Sequence, residues 1–246
     1  MIMSDDNRLI QFKDFGIGFG SRRLLSDVNT SMCGSTLTAL IGRNGTGKST
    51  LLRAIAGLNT NYQGVIEVCG RDLHKASPAL VARSLSFVST GRQRIAAMRC
   101  RDIVAMGRAP YTNWIGRLSA ADNEAVDTAL ADVGMAEYGM RDIDTLSDGE
   151  YQRIMIARAL AQDTPVLLLD EPTSFLDIPN RYALCKLLAD LAHRRNKCVL
   201  FSTHELDIAV KLADALALIN PPHLENGPVQ AITESGEIER LFACPV

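Results

Sequence analysis

The sequence predicts an α/β fold whose core is a mostly parallel β-sheet with helices on both faces. Three continuous apolar runs, LTALI at 37–41, VLLL at 166–169 and ALALI at 215–219, are typical of strands that are buried on both sides. Segments with apolar residues at helical spacing alternate with these runs, which favours parallel strands joined by helical connections. A chain of 246 residues can bury one such core, so we expect a single domain over residues 1–246.

The first part of the chain is expected to supply most of the strands. From Leu9 to Leu40 the pattern predicts short strands and turns, the last strand being LTALI. The segment STLLRAIAGL at 49–58 has apolar residues at helical spacing and a glycine near its end, which predicts a short helix. Two further strands are predicted, VIEVCGRDL at 65–73 and SLSFVS at 84–89.

Residues from about 95 to 146 are predicted to form a helical insertion. In SAADNEAVDTALADVG the apolar residues form one stripe, and Ser119 is a suitable N-cap. The chain then returns to alternating elements, namely a helix that begins at Ser147, a strand at 166–170, a helix at about 179–194, a strand at 198–203, another helix and a strand at 215–219.

Charge and composition exclude several classes of protein. The net charge is −2 and the basic residues are scattered, so we expect no nucleic-acid partner. The six cysteines form no CxxC pair and the first residues lack the pattern of a secretion signal, which favours reduced thiols in a cytoplasmic protein. The longest apolar runs are far shorter than the roughly 20 residues that span a bilayer, so any work at a membrane would require another chain.

A phosphate-binding pattern, G-x-x-x-x-G-K-[ST], is matched by GRNGTGKS at 42–49 between a predicted strand and a predicted helix. Its glycines allow backbone N–H groups to converge on phosphate oxygens, and the helix dipole adds positive charge there. Lys48 is suited to bridge the β and γ phosphates, and Ser49 to ligate Mg²⁺. A glycine turn with an incidental lysine is the alternative. The predicted nucleoside triphosphate site consists of Gly42, Arg43, Asn44, Gly45, Thr46, Gly47, Lys48, Ser49 and Thr50.

Two acids follow the apolar strand VLLL. Asp170 is expected at the carboxyl edge of the sheet, where ligands bind in open α/β folds, and it is suited to hold Mg²⁺ through water. Glu171 would point differently and could polarise an attacking water as general base. The alternative, two solvated turn residues, is weaker beside a phosphate loop.

A helix start in LSDGEYQR supports two interpretations. Ser147 and Glu150 have the spacing of a capping box, which is sufficient to explain the segment. Asp148 and Gly149 between them leave a glycine-containing start that could also present backbone N–H groups to an anion.

Taken in order, GRNGTGKST, LSDGEYQRIMIARAL, VLLLDEPTSFLD and STH resemble the ATP-binding subunit of ABC transporters, over nearly the whole chain. The resemblance implies a P-loop NTPase of the ABC type, with an antiparallel β sub-domain beside the mostly parallel core. The helical insertion at about 95–146 corresponds to the family's helical sub-domain, which docks on membrane-spanning subunits. ATP and Mg²⁺ are the implied cofactors.

The resemblance also implies a homodimer with two composite sites. Ser147 and Gly149 would cap a helix and also close the ATP held by the second copy. Phe19 corresponds to the aromatic residue that stacks on adenine, and Asp177 falls in the segment that links the two sites. His204 matches the residue that contacts the γ phosphate, although a lone histidine after a strand is more often a packed or solvent-facing side chain.

The segment MGRAPYTNWIGRLSAADN resembles, more narrowly, the ATPases of importers for iron complexes (siderophores), heme and cobalamin. That resemblance implies two permease subunits as partners, a substrate-binding protein as an indirect partner, and a peripheral position on the cytoplasmic face of the inner membrane. Tyr111 and Trp114 would either pack within the insertion or contact the permease. Two rival functions are a soluble ABC-type ATPase that is not coupled to transport and a non-hydrolysing nucleotide-binding regulator, and Glu171 and His204 argue against the second.

Two departures from the family pattern require a physical account. Where the family has a glutamine that reaches Mg²⁺, this chain has Thr90, whose hydroxyl is expected to reach the ion through an ordered water. Gln93, three residues later, is the alternative. Where the family has LSGGQ, this chain has LSDGE, which adds the acids Asp148 and Glu150. Both are expected to turn away from the phosphates, because like charges repel, and Glu150 is expected to accept from backbone N–H at the helix start.

Overall fold

The computed structural model of the protein describes residues 7–20, 22–91, 97–112 and 116–242. Its strands form one mixed sheet and one antiparallel sheet. The described strands are Arg8–Phe19 (β1), Arg22–Cys33 (β2), Thr36–Gly42 (β3), Tyr62–Val68 (β4), Arg71–Asp72 (β5), Leu85–Val88 (β6), Val166–Leu169 (β7), Cys198–Ser202 (β8), Ala215–Asn220 (β9) and His223–Pro228 (β10).

The larger sheet has six strands in the order β10-β9-β3-β8-β7-β6. Strands β9, β3, β8, β7 and β6 run parallel to one another. Strand β10 pairs antiparallel with β9 at one edge. The smaller sheet, in the order β2-β1-β4-β5, is antiparallel throughout. The predicted combination of a mostly parallel core and an antiparallel β sub-domain is therefore confirmed.

The described helices connect these strands. They are Lys48–Ile55 (α1), Pro78–Ser84 (α2), Cys100–Ala105 (α3), Ala120–Asp132 (α4), Asp148–Ala161 (α5), Ile178–Arg194 (α6), Leu206–Leu212 (α7), Val229–Glu234 (α8) and Glu237–Phe242 (α9), with short 3₁₀ turns at Met106–Tyr111, Ala136–Tyr138 and Ile143–Thr145. None of the helices in the described part of the chain is long and apolar enough to cross a membrane.

Alternate side chains of the larger sheet enter two apolar clusters, one on each face. On one face Leu40, Leu168 and Leu200 pack with α1 and the antiparallel sheet. On the other face Leu169 and Phe201 pack with the helices from α3 to α7. Because both faces are covered, the central strands are almost entirely buried, which explains their continuous apolar runs.

The prediction of short strands between Leu9 and Leu40 was wrong in length. Strands β1 and β2 each have 12 residues and form one long hairpin. Asp14 and Asp27 have positive φ and lie at shifts in the strand register. They form β-bulges, which keep the strands paired while admitting an extra residue.

A cluster of polar contacts holds the helical region between β6 and β7 together. Ser119 caps α4, as predicted, and the structure adds a capping box with Asp122. The Ser119 hydroxyl is the main cause that lowers the pKa of Asp122 to about 2. Arg108 Nε donates to Asp122 Oδ1 at 2.8 Å. The ring of Tyr111 lies 4.0 Å from the Arg108 guanidinium, and Arg83 in α2 donates to the Pro110 carbonyl at 2.9 Å.

Tyr111 therefore packs on this chain's own arginines, which supports the first of its two interpretations. Contact with a permease stays a prediction, and Trp114 lies outside the described residues. Helix α5 packs on both α3 and α4 and also contacts β6, so it connects the helical region to the sheet. The limits of the insertion at about 95–146 likewise stay a prediction.

Candidate active site

The phosphate loop follows β3 at the carboxyl edge of the larger sheet and leads directly into α1. Gly45 and Gly47 have φ of 76° and 103°, a backbone region that residues with a Cβ rarely adopt. A Cβ on Gly47 would lie 2.9 Å from Leu24 Cδ1. Gly47 is also the N-cap of α1, and no side chain caps that helix. The loop thus needs glycine to form and leaves the start of α1 available to an anion.

Contacts within the loop fix its shape. The Thr46 hydroxyl donates to the Arg43 carbonyl at 2.8 Å, and Lys48 Nζ donates to the Gly42 carbonyl at 2.8 Å. The Lys48 side chain is only 6% exposed. Burial lowers the pKa of its ammonium, while the nearby carboxylates of Glu171 and Asp170 act in the opposite direction. A buried cation is therefore held at the base of the loop, next to two acids.

Asp170 accepts two hydroxyl hydrogen bonds on the same oxygen. Ser49 Oγ donates to Asp170 Oδ1 at 3.0 Å and Ser202 Oγ donates to it at 2.8 Å. Mg²⁺ in nucleotide sites commonly takes few protein ligands, with substrate phosphates and water completing its octahedron. A serine hydroxyl beside a buried carboxylate, at the edge of a phosphate loop, fits that requirement. The described residues contain no cluster of three or more His, Cys, Asp or Glu that would suit a metal held by protein alone.

Glu171 follows Asp170 with its backbone in the left-handed region, at φ 46°. Its N–H donates to Ser202 Oγ at 2.8 Å, which anchors this turn to the end of β8. Its carboxylate accepts from Ser174 Oγ at 3.1 Å. The change of backbone direction after Asp170 separates the two carboxylates, so one faces Ser49 and the other borders the open cleft described next.

A cleft of about 310 Å³ lies over the phosphate loop. Phe19, 60% exposed at the end of β1, forms one wall, and Glu171 lies at another. An exposed phenylalanine beside a phosphate loop offers a flat apolar surface to an aromatic base. The remaining lining residues are Arg22, Leu24, Asn44, Gly45, Gly47, Lys48, Ser49 and Thr50.

Thr90 lies two residues beyond β6 and contacts the turn that carries the acids. Its hydroxyl donates to the backbone carbonyl of Asp170 at 2.8 Å. The proton of the hydroxyl is thus directed at the protein, while the oxygen retains acceptor capacity for a water. This arrangement is compatible with the predicted water bridge, which stays a prediction. Gln93, the alternative, lies outside the described residues.

His204 and Asp177, the remaining residues expected at the site, lie after β8 and at the start of α6. His204 lies two residues beyond the last residue of β8 and is exposed at the carboxyl edge. Asp177 is the N-cap of α6, where its carboxylate accepts from the Asn180 N–H at 3.1 Å. Contacts of either residue with a nucleotide or a second copy stay predictions.

The start of α5 has the predicted capping box. The Ser147 N–H and hydroxyl both donate to Glu150 Oε2 at 2.8 Å, and the Glu150 N–H donates to Ser147 Oγ at 3.4 Å. The hydrogen bond from the Ser147 backbone is the main cause that lowers the pKa of Glu150, and the Tyr138 hydroxyl adds to the effect. Glu150 therefore accepts from its own helix start, as its position in the capping box predicted.

A second cleft, of about 290 Å³, lies beside the start of α5. Asp148 and Tyr151 line one side, and Glu171 and Phe175 line the other. Glu171 thus borders both clefts. Ser147 and Gly149 line neither cleft.

Comparison with known proteins agrees with this geometry. Residues 25–174 match the family model described as ABC transporter. The chain belongs to the ABC transporter family. The cobalamin import ATP-binding protein of Halobacterium salinarum is 40% identical over 197 residues, which are 80% of this chain and 49% of that protein. The chain therefore spans about half the length of that relative.

Two further matches extend over more of the length of the related protein. The achromobactin transport ATP-binding protein of Dickeya dadantii is 34% identical over 234 residues, which are 95% of this chain and 87% of that protein. A solved ABC transporter described as metal-chelate type, in an inward-facing conformation, is 31% identical with a TM-score of 0.84. The match covers 97% of this chain and 90% of that one.

Two residues of this ABC site were missed from the sequence. Ser202 contacts both Asp170 and Glu171, and its place could have been inferred because β8 is the parallel neighbour of β7 and both end at the same edge. Arg22 lines the first cleft and gave no signal, because it lies in the β hairpin outside every motif.

Proposed function

We propose that this chain binds and hydrolyses ATP, and that two copies of it drive uptake of a substrate through membrane-spanning partner subunits. One observation carries the proposal. A bare helix start, the buried Lys48, Ser49 and Glu171 all line a single cleft, and Asp170 accepts a hydrogen bond from Ser49 at its edge. Each of these groups supplies a different requirement of phosphoryl transfer to water.

Binding of the phosphates depends on the loop and Lys48. Backbone N–H groups at the start of α1 and the ammonium of Lys48 provide hydrogen-bond donors and positive charge for the phosphate oxygens. Ser49 and Asp170 would hold Mg²⁺, which neutralises part of the charge on the phosphates when bound. Ser202 keeps the Asp170 carboxylate oriented toward Ser49 by donating to the same oxygen.

Hydrolysis requires a base beside the cleft, and Glu171 is suited to this role. Its carboxylate can accept a proton from a water that attacks the γ phosphate. Ser174 donates to Oε2 and the backbone N–H is anchored on Ser202, so both ends of the residue are fixed. We expect His204, exposed at the same edge, to donate to the γ phosphate in the closed state.

The partners and the substrate class rest on the relatives. Proteins named for import or transport of cobalamin and achromobactin are 34–40% identical to this chain. We infer that this chain works as a homodimer, peripheral to the cytoplasmic face of the inner membrane, with two permease subunits and, indirectly, a substrate-binding protein. In that dimer Ser147 and Gly149 of one copy would close the ATP of the other. The transported compound would be an iron complex, heme or cobalamin.

The test has two parts, beginning with purified protein. With ATP and Mg²⁺, the chain should release phosphate, and Lys48→Ala should abolish both binding and release. Lys75→Ala, at an exposed lysine outside the site, is the matched control and should behave as wild type. Absence of ATP binding by wild type would contradict the enzymatic part of the proposal.

The second part identifies the partners. A tagged chain is isolated from detergent-solubilised membranes of its own cells, and the proteins that accompany it are identified by mass spectrometry. A permease with many membrane-spanning segments should co-purify in equal amount. Recovery of the chain without any integral membrane protein, or with ribosomal or DNA-repair proteins, would contradict the transport part.

A further inference from the structure

Arg22 lies at the phosphate loop although it belongs to no recognised motif. It is the first residue of β2 and pairs with Phe19 across the tip of the β1–β2 hairpin. Its guanidinium donates to the carbonyl of Gly45, at the outer turn of the loop, at 3.1 Å. The same side chain lines the 310 Å³ cleft together with Lys48, Ser49 and Phe19.

The hairpin is built so that Arg22 reaches this position. A Cβ on Gly18 would lie 2.4 Å from the Arg22 carbonyl, so only glycine permits the two strands to approach this closely at the tip. The guanidinium also lies 4.0 Å from where a Cβ on Gly45 would be. The backbone therefore holds the side chain of Arg22 against the outer face of the phosphate loop.

A guanidinium has more donors than this contact uses. One N–H of Arg22 binds a neutral carbonyl, whereas five donors in a planar fork suit phosphate oxygens in particular. Arg22 is exposed and Lys48 is buried, so the two cations stand on the outer and inner sides of the same loop. Both side chains line the same cleft.

We propose that Arg22 is a second cation for the phosphate chain of the nucleotide. Its guanidinium retains the Gly45 carbonyl and contacts phosphate oxygens from the open side of the cleft. The inference rests on the proposed binding of ATP and adds a residue to it. A different role would be mechanical, in which Arg22 only supports the loop through the Gly45 carbonyl and touches no phosphate.

Substitutions at Arg22 separate charge from support. Arg22→Gln removes the charge and keeps an N–H₂ group, although on a shorter side chain that does not reach the Gly45 carbonyl. Arg22→Lys keeps the charge, and Arg22→Ala removes both. Arg23→Ala is the matched control, because Arg23 is the adjacent exposed arginine and does not line the cleft.

The experiment measures dissociation constants of the full chain for ATP and ADP by calorimetry, at low and high salt. Arg22→Ala and Arg22→Gln should both weaken binding roughly tenfold, as expected for loss of a charge-assisted hydrogen bond. Arg22→Lys should lose less than threefold, and Arg23→Ala should match wild type. The two neutral variants should also show a weaker dependence of affinity on salt.

Two outcomes would overturn the inference. Wild-type affinity in Arg22→Ala would show that the residue does not contribute to binding. Weak binding in Arg22→Ala and Arg22→Gln with the same salt dependence as wild type would show that support of the loop, and not charge, is its role. Thermal unfolding of each variant identifies any that fails to fold. If wild type itself bound no nucleotide, the proposed function would fail, which is a separate result.

Discussion

Two helix starts that carry glycine, those of α1 and α5, have opposite chemistry. Helix α1 begins at Gly47 with no side-chain cap and with no acid in its first turn. Helix α5 begins at Ser147 with a complete capping box, and Asp148 and Glu150 occupy its first turn. One start leaves its N–H groups and dipole to an external anion, and the other satisfies part of its own with a carboxylate.

This difference teaches that a glycine at a helix start does not by itself make a phosphate site. The start of α1 is suited to bind phosphate without help from a second copy, because no side chain caps it and no acid lies in its first turn. At α5 the acids oppose an anion, so the start would contribute only to a nucleotide already held by another copy, through the backbone near Gly149. The predictions that follow test this division of roles.

The largest effect is expected at Glu171, which lies between the two clefts. Glu171→Gln should retain ATP binding and lower turnover by about 10²–10⁴-fold, because the amide cannot accept the proton of the attacking water. ATP should then trap a closed dimer that joins the α1 start of one copy to the α5 start of the other. Phosphate release and size-exclusion chromatography measure both, and undiminished hydrolysis would remove the base assignment.

A matched pair of glycine substitutions compares the two starts directly. In Gly47→Ala the positive φ costs about 1–2 kcal/mol and the methyl group meets Leu24, so ATP affinity should fall roughly tenfold. In Gly149→Ala the nearest atom, Leu176 Cδ2, is 3.7 Å away and the backbone is helical. The isolated chain should then bind ATP as wild type and melt no lower.

The effect of Gly149→Ala is expected in the turnover of the assembled transporter. Gly149→Ala should lower it, because the added methyl group would stand between α5 and the nucleotide of the partner copy. Two results would break the comparison: weakened ATP binding by isolated Gly149→Ala, or normal turnover by the transporter that contains it.

Substitution of Thr90 tests whether its hydroxyl reaches Mg²⁺ through an ordered water. Its hydroxyl already donates to the Asp170 carbonyl, so it is positioned to accept from a water near the Ser49–Asp170 pair. Thr90→Ala should slow turnover of the assembled transporter about fivefold, the effect of one hydrogen bond, while Gln93→Ala stays near normal. The reverse pattern would assign the role to the glutamine.

The smallest effects on turnover are expected at the capping box. Ser147→Ala should destabilise the protein by about 0.5–2 kcal/mol, measured by denaturant unfolding at pH 7. Glu150→Gln should change turnover little, because glutamine can still accept from the Ser147 N–H. A large loss of turnover in Glu150→Gln would place the carboxylate in the chemistry and not in the cap.

The pH dependence of stability provides a second measurement of the same box. Because the folded state lowers the pKa of Glu150, its contribution is present above the unfolded value of about 4.3 and is lost as pH falls through the folded pKa. The stability difference between wild type and Glu150→Gln should therefore shrink at acid pH. A difference that stays constant below pH 4 would contradict the bond.

The sequence by itself determined the local features of this protein. Spacing within short segments was enough for the phosphate loop and for the capping box at Ser147, because loops and helix ends are set by residues only a few positions apart. Continuous apolar runs were enough for the parallel core, because strands buried on both faces have no polar alternation. The hairpin length was not predicted, because bulges at Asp14 and Asp27 look like turns in one dimension.

Only the tertiary structure decided which distant residues share the site. The sequence assigned Ser49 and Asp170 to one magnesium site, but it did not reveal that Ser202 donates to the same Asp170 oxygen where β7 and β8 end side by side. Arg22 reaches the Gly45 carbonyl because the antiparallel sheet packs beside the loop, which no local pattern encodes. Contacts between elements depend on how whole surfaces pack, so residue spacing along the chain cannot reveal them.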